Sequence, residues 1–227
     1  MRNYLVTGGA GFIGSHLVQA LLAGGNAVRV LDNFSTGRRE NLEVFDGRLE
    51  VQEGDLRDAA RVGEAVRDVE VIFHEAAFVS APLSISEPRT CFDVNVGGTE
   101  ILLEAARQAH VRRVVLASSA AVYGNSDALP LAEDARLQPL SPYAASKQIA
   151  EIYAGLYTRA FGLEVVALRY FNVAGSAADG SLGEDHDPET HLIPVLLLAA
   201  LGRREKVTVF GADYPTPDGT CIRDNDP

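Results

Sequence analysis

Lysine is scarce in this chain: of 20 basic residues only Lys147 and Lys206 are lysine. Tryptophan is absent, and there are one methionine and two cysteines. Cys91 and Cys221 match no metal-ligand spacing and suggest no disulfide framework. Long apolar runs are also missing. The longest, Val195 to Leu201, is far too short to span a bilayer. Only Tyr4-Leu5-Val6 precedes the first glycines, too little for the apolar part of a secretory signal. Positive charge is in deficit: a formal net charge of −11 argues against general binding to nucleic acid or anionic membrane. An anionic ligand would have to be held by a few local arginines and helix N-termini. A cytoplasmic protein is expected.

What remains is a globular composition, 47% hydrophobic over 227 residues, enough to bury one large core with a small appendage. Short apolar runs alternate with helical stretches. Strands are expected at Tyr4–Thr7, Ala27–Leu31, Leu49–Gln52, Val71–Phe73, Arg113–Ala117 and Glu164–Leu168, with helices at Phe12–Ala23, Ala59–Val66, Arg89–Ala109 and Pro142–Phe161. This pattern defines the α/β class, a Rossmann-type doubly wound parallel sheet, whose ligands bind beyond the carboxyl ends of the strands. After about Gly175 the texture changes. Ala174 to Pro188 reads as a long loop, Leu192–Leu201 as a helix, Lys206–Phe210 as a strand, and Gly211 to Pro227 shows no periodic pattern.

Between the first strand and the first helix lies Thr7-Gly8-Gly9-Ala10-Gly11-Phe12-Ile13-Gly14. Gly8 and Gly11 allow a tight turn and close approach of a pyrophosphate. Gly14 lets the helix pack on the sheet, and the free N–H groups at the helix start face the phosphates. Asp32 ends the second strand, where a carboxylate accepts from an adenosine ribose and repels a 2′-phosphate. NAD is therefore expected over NADP, with Arg38 and Arg39 as the residues that keep NADP open. Asp55-Leu56 would flank the adenine, and Ala76-Ala77 are small enough to let the cofactor pass.

Tyr143 and Lys147 lie in Ser141-Pro142-Tyr143-Ala144-Ala145-Ser146-Lys147. Residues four apart on a helix share a face, and Ser141-Pro142 reads as an N-cap followed by proline at the first helical position. A phenol titrates near pH ~10 when unperturbed, and a neighbouring ammonium lowers that value by favouring phenolate. Tyr143 is thus expected to serve as a general base, with Lys147 tuning it.

Together with Asp55-Leu56-Arg57-Asp58 and Ser118-Ser119-Ala120-Ala121-Val122-Tyr123-Gly124, these motifs resemble the extended short-chain dehydrogenase/reductase family. Leu168 to Gly175, Leu182 to Pro194 and Val209 to Asp224 narrow the resemblance to the UDP-glucose (UDP-galactose) 4-epimerases. The resemblance implies NAD-dependent epimerisation at C4 of a UDP-hexose through a transient 4-keto sugar, within a cofactor domain at residues 1–175 and a partial substrate-binding region at 176–227. It implies that Ser119 bonds the sugar 4-hydroxyl, Tyr143 removes its proton, and Lys147 holds the nicotinamide ribose. It lines the cofactor with Phe12, Ile13, Asp32, Asn33, Phe34, Ser35, Thr36, Gly37, Asp55, Leu56, Glu75, Ala76, Ala77, Phe78, Val79, Asn95 and Phe171. Asn172, His191, Leu192, Thr208, Val209, Phe210 and Arg223 would hold the UDP portion.

Related dehydratases carry an Asp-Glu pair where this chain has Ala120-Ala121. Dehydration needs that extra acid and base, so it is disfavoured. Epimerases of this kind continue well past Pro227, so the substrate portion is expected to be incomplete. A nucleotide-binding module without useful turnover, or another sugar-nucleotide oxidoreductase such as a decarboxylase, are the alternatives. Glu184, Asp185, His186, Asp187, Glu189 and His191 crowd one loop without helical histidine spacing, and no metal is expected there. His74 is expected to be a packed, hydrogen-bonded histidine. The helices bearing Val94, Ile101 and Ala105 and bearing Ile149, Tyr153 and Leu156 pair across a homodimer in this family.

Overall fold

The computed structural model describes residues 2–45, 47–126, 130–186 and 189–221. Six parallel strands form one sheet: β1 (Asn3–Thr7), β2 (Ala27–Asp32), β3 (Leu49–Glu53), β4 (Val71–His74), β5 (Arg113–Ser119) and β6 (Glu164–Tyr170), in the order β3-β2-β1-β4-β5-β6. The chain reverses direction of travel across the sheet between β1 and β4, and this switch point opens the crevice in which such sheets take ligands.

Alternation along the strands assigns the faces. Leu5 and Leu31 enter one buried cluster with Val62, Ile72, Leu102, Leu103 and Tyr157, under α3 (Ala59–Ala65), α6 (Thr99–Gln108) and α7 (Pro142–Phe161). Their neighbours Val6 and Val30 face the other way, against Val18 and Leu22 of α1 (Phe12–Ala23) and Leu42 of the short α2 (Glu40–Glu43). Leu182, from the loop after β6, completes that second cluster, and Ser176 bridges Gly183 to close the loop on itself.

Three expectations need adjustment. The helix expected at Arg89–Ala109 is continuous but not uniform. It follows α4 (Ala81–Ser86) and runs as α5 (Pro88–Phe92), a π-helical turn at Asp93–Gly98, and α6. Gly98 explains part of this, since a Cβ there would stand 2.8 Å from Leu56 Cβ, so the wide turn passes close to the loop after β3. The strand expected at Lys206–Phe210 is irregular, with Val209 75% and Phe210 97% exposed. Apolar alternation makes a strand only where a second strand bonds to it, and none lies alongside among the described residues. The predicted strands were also cut short: Asp32, Glu53, His74, Ser119 and Tyr170 all belong to the ladders. These polar residues extend the strands at their carboxyl ends, the end at which such sheets take ligands.

The last helix, α8 (Leu192–Ala200), lies within its expected span and leaves Leu192, Ile193, Leu196 and Leu197 largely exposed. No helix among the described residues is long and apolar enough to cross a membrane.

Candidate active site

The glycine loop is a turn with no room for a side chain at Gly8 or Gly14. Gly8 has φ +70°, and a Cβ on it would lie 2.6 Å from the backbone nitrogen of Ala76. A Cβ on Gly14 would lie 2.1 Å from Gly8 O. Gly11 caps α1 without any side-chain bond and no acidic residue follows in the first turn, so the opening N–H groups at Phe12 and Ile13 remain available to an anion.

Asp32 is buried at the end of β2. Its two oxygens accept from the backbone N–H groups of Ala10 (2.9 Å) and Phe34 (2.8 Å), fastening the glycine loop to the segment Asn33–Gly37. Burial raises its pKa, and those two bonds oppose the rise. Asn33 donates to Asp55 (3.0 Å), which joins the loops after β2 and β3 on the adenine side. Arg57 grips the same carboxylate with two bonds and, together with Asn33, holds it well below the usual carboxylate range. Both arginines that could have reached a 2′-phosphate are already engaged. Arg38 pairs with Asp185 at 3.0 Å, and Arg39 pairs with Glu53 and stacks on Phe34. This set fits NAD better than NADP.

Asn95 sits in the π-helical turn, buried, and pins the strap after β4: it accepts from Phe78 N (2.7 Å) and donates to Phe78 O (3.0 Å). The same amide donates to Ser146 Oγ (2.9 Å), which in turn donates to Tyr143 O (2.7 Å). Ser84, fully buried in α4, accepts from Tyr143 N (3.1 Å). Ser141 caps α7 by accepting from Ala144 N, with Pro142 behind it as expected. The tyrosine backbone is thereby fixed from three elements. Neither Ser84 nor Ser146 was singled out from sequence, because bonds spanning 59 and 51 residues leave no local signature.

Ser119, at the end of β5, is within hydrogen-bonding reach of the Tyr143 phenol, and Lys147 Nζ lies 5.9 Å from the centre of that ring. The three expected residues do converge. The expected electrostatics do not follow. Burial pushes the Tyr143 phenol above its ordinary value, and the Ser119 bond opposes this only in part. Lys147 is itself buried, its ammonium held by Ala117 O at 2.8 Å, and burial pushes its pKa down to about 8. In this arrangement desolvation outweighs a cation that already has its own acceptor.

Glu75 is the residue sequence reasoning undervalued. It stands just beyond β4, takes a 3.3 Å bond from Tyr170 Oη, and feels the Lys147 ammonium. Burial nonetheless pushes its carboxyl up to about 7. The raised value has a sign in stability. Between pH 4.5 and 7 the folded chain keeps a proton that the unfolded chain has lost, so this group's contribution is full below 4.5 and is lost as pH rises through 7. Glu75→Gln removes the penalty. Relative to the wild type, it should gain about 2–3 kcal/mol between pH 5 and pH 8 in denaturant melts without cofactor. An equal difference at both pH values would refute the assignment. Buried His74, bonded by Thr7 (2.8 Å) and Thr99 (2.9 Å), is the packed histidine expected, and the paired comparison cancels its opposite slope.

The residues expected around UDP are less gathered. Asn172 follows just after β6, next to Phe171, a residue expected on the cofactor. His191 caps the start of α8 and bonds Glu184, Leu192 is exposed beside it, and Thr208, Val209 and Phe210 lie exposed in the irregular segment. Arg223 lies outside the described residues. The mixed cluster does converge: one ligand atom each from Glu184, His186, Glu189 and His191 lies within 4.8 Å of all the others.

A six-stranded parallel sheet, a glycine loop at its switch point and a Ser-Tyr-Lys group over the crevice define a dinucleotide-binding protein of the short-chain dehydrogenase/reductase kind. The chain belongs to the NAD dependent epimerase/dehydratase family, whose model matches residues 4–225. It is 45% identical over 222 residues to the UDP-glucose 4-epimerase of Lactobacillus helveticus, covering 97% of this chain and 66% of that protein. It superposes on UDP-glucose 4-epimerase from Brucella ovis in complex with NAD with a TM-score of 0.92 and 44% identity, over 99% of this chain and 69% of the other. The enzyme from Bifidobacterium longum in complex with NAD+ and UDP gives 0.87 and 32%, over 96% and 68%. The chain thus spans about two-thirds of the length of these relatives.

Proposed function

We propose that this chain acts in NAD-dependent epimerisation at C4 of a UDP-hexose, UDP-glucose and UDP-galactose being the interconverted pair. The observation that carries the proposal is the meeting of Ser119, Tyr143 and Lys147 in a fold whose glycine loop has no room for a side chain at Gly8 or Gly14. Residues 1–175 would form the cofactor half and 176–227 part of the substrate region.

When bound, NAD+ would supply the hydride acceptor and donor for C4. The protein's own share is positioning and proton transfer. Ser119 orients the 4-hydroxyl, Tyr143 takes its proton, and the same phenol returns a proton after the 4-keto sugar has turned over in the site. Lys147 would hold the nicotinamide ribose while Ala117 O fixes its height. Asp32 and the opening N–H groups of α1 would hold the adenosine ribose and pyrophosphate.

The alanines at 120 and 121 support epimerisation over dehydration, since no carboxylate stands beside Ser119 in that turn. A homodimer is the assembly we favour, supported by apolar exposure of Ile152, Tyr153 and Leu156 along α7 and of Phe92 at the end of α5. The test is direct: the chain is checked for bound NAD by absorbance, then assayed with UDP-galactose. UDP-glucose should form. NAD retained with no product would leave only nucleotide binding and sink the catalytic reading.

A further inference from the structure

We propose that the loop between β6 and α8 holds one divalent transition-metal ion, zinc fitting best, through Glu184, His186, Glu189 and His191. Two imidazoles and two carboxylates form a nitrogen/oxygen donor set suited to zinc. Four tetrahedral donors at about 2.1 Å from an ion stand about 3.4 Å from one another. His186 Nδ1 lies 3.5 Å from Glu184 Oε1 and 3.7 Å from Glu189 Oε2, close to that edge length. Both separations are too long for a good hydrogen bond and too short to admit a water between them. His191 Nδ1 hydrogen-bonds the same Glu184 oxygen, a contact the ion would have to replace, and the four donors together span no more than 4.8 Å.

Burial gives the second argument. The side chains of Glu184 and Glu189 are only 5% and 10% exposed, and no arginine or lysine pairs with either carboxylate among the described residues. Two shielded carboxylates this close repel unless positive charge offsets them, which either the two flanking imidazoles or a bound cation would supply. Glu189 is also aimed. Its Oε1 accepts the N–H groups of Thr190 and His191 at 2.8 Å each, which leaves Oε2 directed at the centre of the cluster. Such outer bonds orient ligands in metal sites.

The ion would join two parts of the chain. Asp185, between two of the ligands, pairs with Arg38 of the segment leading from the cofactor crevice, and His191 is the first residue of the α8 turn. The site is independent of the epimerase reading, because its presence is read from metal content.

The experiment strips the chain with a chelator, reloads it with Zn2+ or Co2+, and passes it through gel filtration. Metal is then counted by mass spectrometry, and the Co2+ form is examined by visible absorption. The expected result is one zinc per chain and the intense d–d bands of four-coordinate cobalt. Both should be lost in His186→Gln and in Glu184→Gln, with circular dichroism unchanged. Substoichiometric zinc in the wild type overturns the proposal without reference to any variant. So does equal retention by wild type and variants. If a variant misfolds, the wild-type stoichiometry and cobalt spectrum decide alone: histidinium neutralising the carboxylates would give neither.

Discussion

Tyr143→Phe should keep the fold and the cofactor site yet lose epimerisation by about 10²–10⁴-fold, the range for removing a positioned general acid–base. The backbone around this residue is held by Ser84, Ser146 and the Ser141 cap rather than by the phenol, so the substitution leaves those bonds intact. What it removes is the phenol hydroxyl beside Ser119, on the ring whose centre lies 5.9 Å from Lys147 Nζ. The loss should fall on kcat with little change in KM, because the phenol matters to proton transfer more than to holding UDP. It should be measured by product formation from UDP-galactose at saturating NAD+. A rate within a few-fold of wild type would remove Tyr143 from its role.

Gly14→Ala should abolish NAD binding and destabilise the chain. The added methyl would stand 2.1 Å from Gly8 O and 2.8 Å from Gly9 Cα, both backbone atoms of a turn that has no slack. Overpacking of this sort costs about 1–3 kcal/mol where neighbours can shift. Here the neighbour that must shift is the turn that would present N–H groups to the pyrophosphate. Gly63 in α3 makes a matched control, since a methyl there meets nothing within 4 Å. Gly63→Ala should be neutral or stabilising by up to about 1 kcal/mol. Isothermal titration with NAD+ and denaturant melts compare the two. NAD affinity in Gly14→Ala near that of Gly63→Ala would contradict the reading of the loop.

The sheet was legible because its strands read as short apolar runs, buried in the central strands and more exposed in the edge strands β3 and β6, while α1 and α7 announce themselves by glycine and by Ser-Pro. The Tyr143/Lys147 pair was legible through helical spacing. Sequence could not convey the balance of desolvation against charge at those residues, which depends on burial from elements far along the chain. Asn95 shows the same limit. Its place in the cofactor lining came from resemblance, but its double bond to Phe78 and its link to Ser146 depend on a π-helical turn that no periodicity announces. Lys206–Phe210 failed in the opposite direction: the alternation was present, and the partner strand was not.

The decisive measurement uses UDP-galactose carrying deuterium at C4, turned over by the wild-type chain in ordinary water. Removal and return of hydride at one carbon predicts UDP-glucose with the deuterium still at C4. Product that has lost the label to solvent, or recovery of unchanged UDP-galactose from a chain shown to hold NAD, would contradict the account.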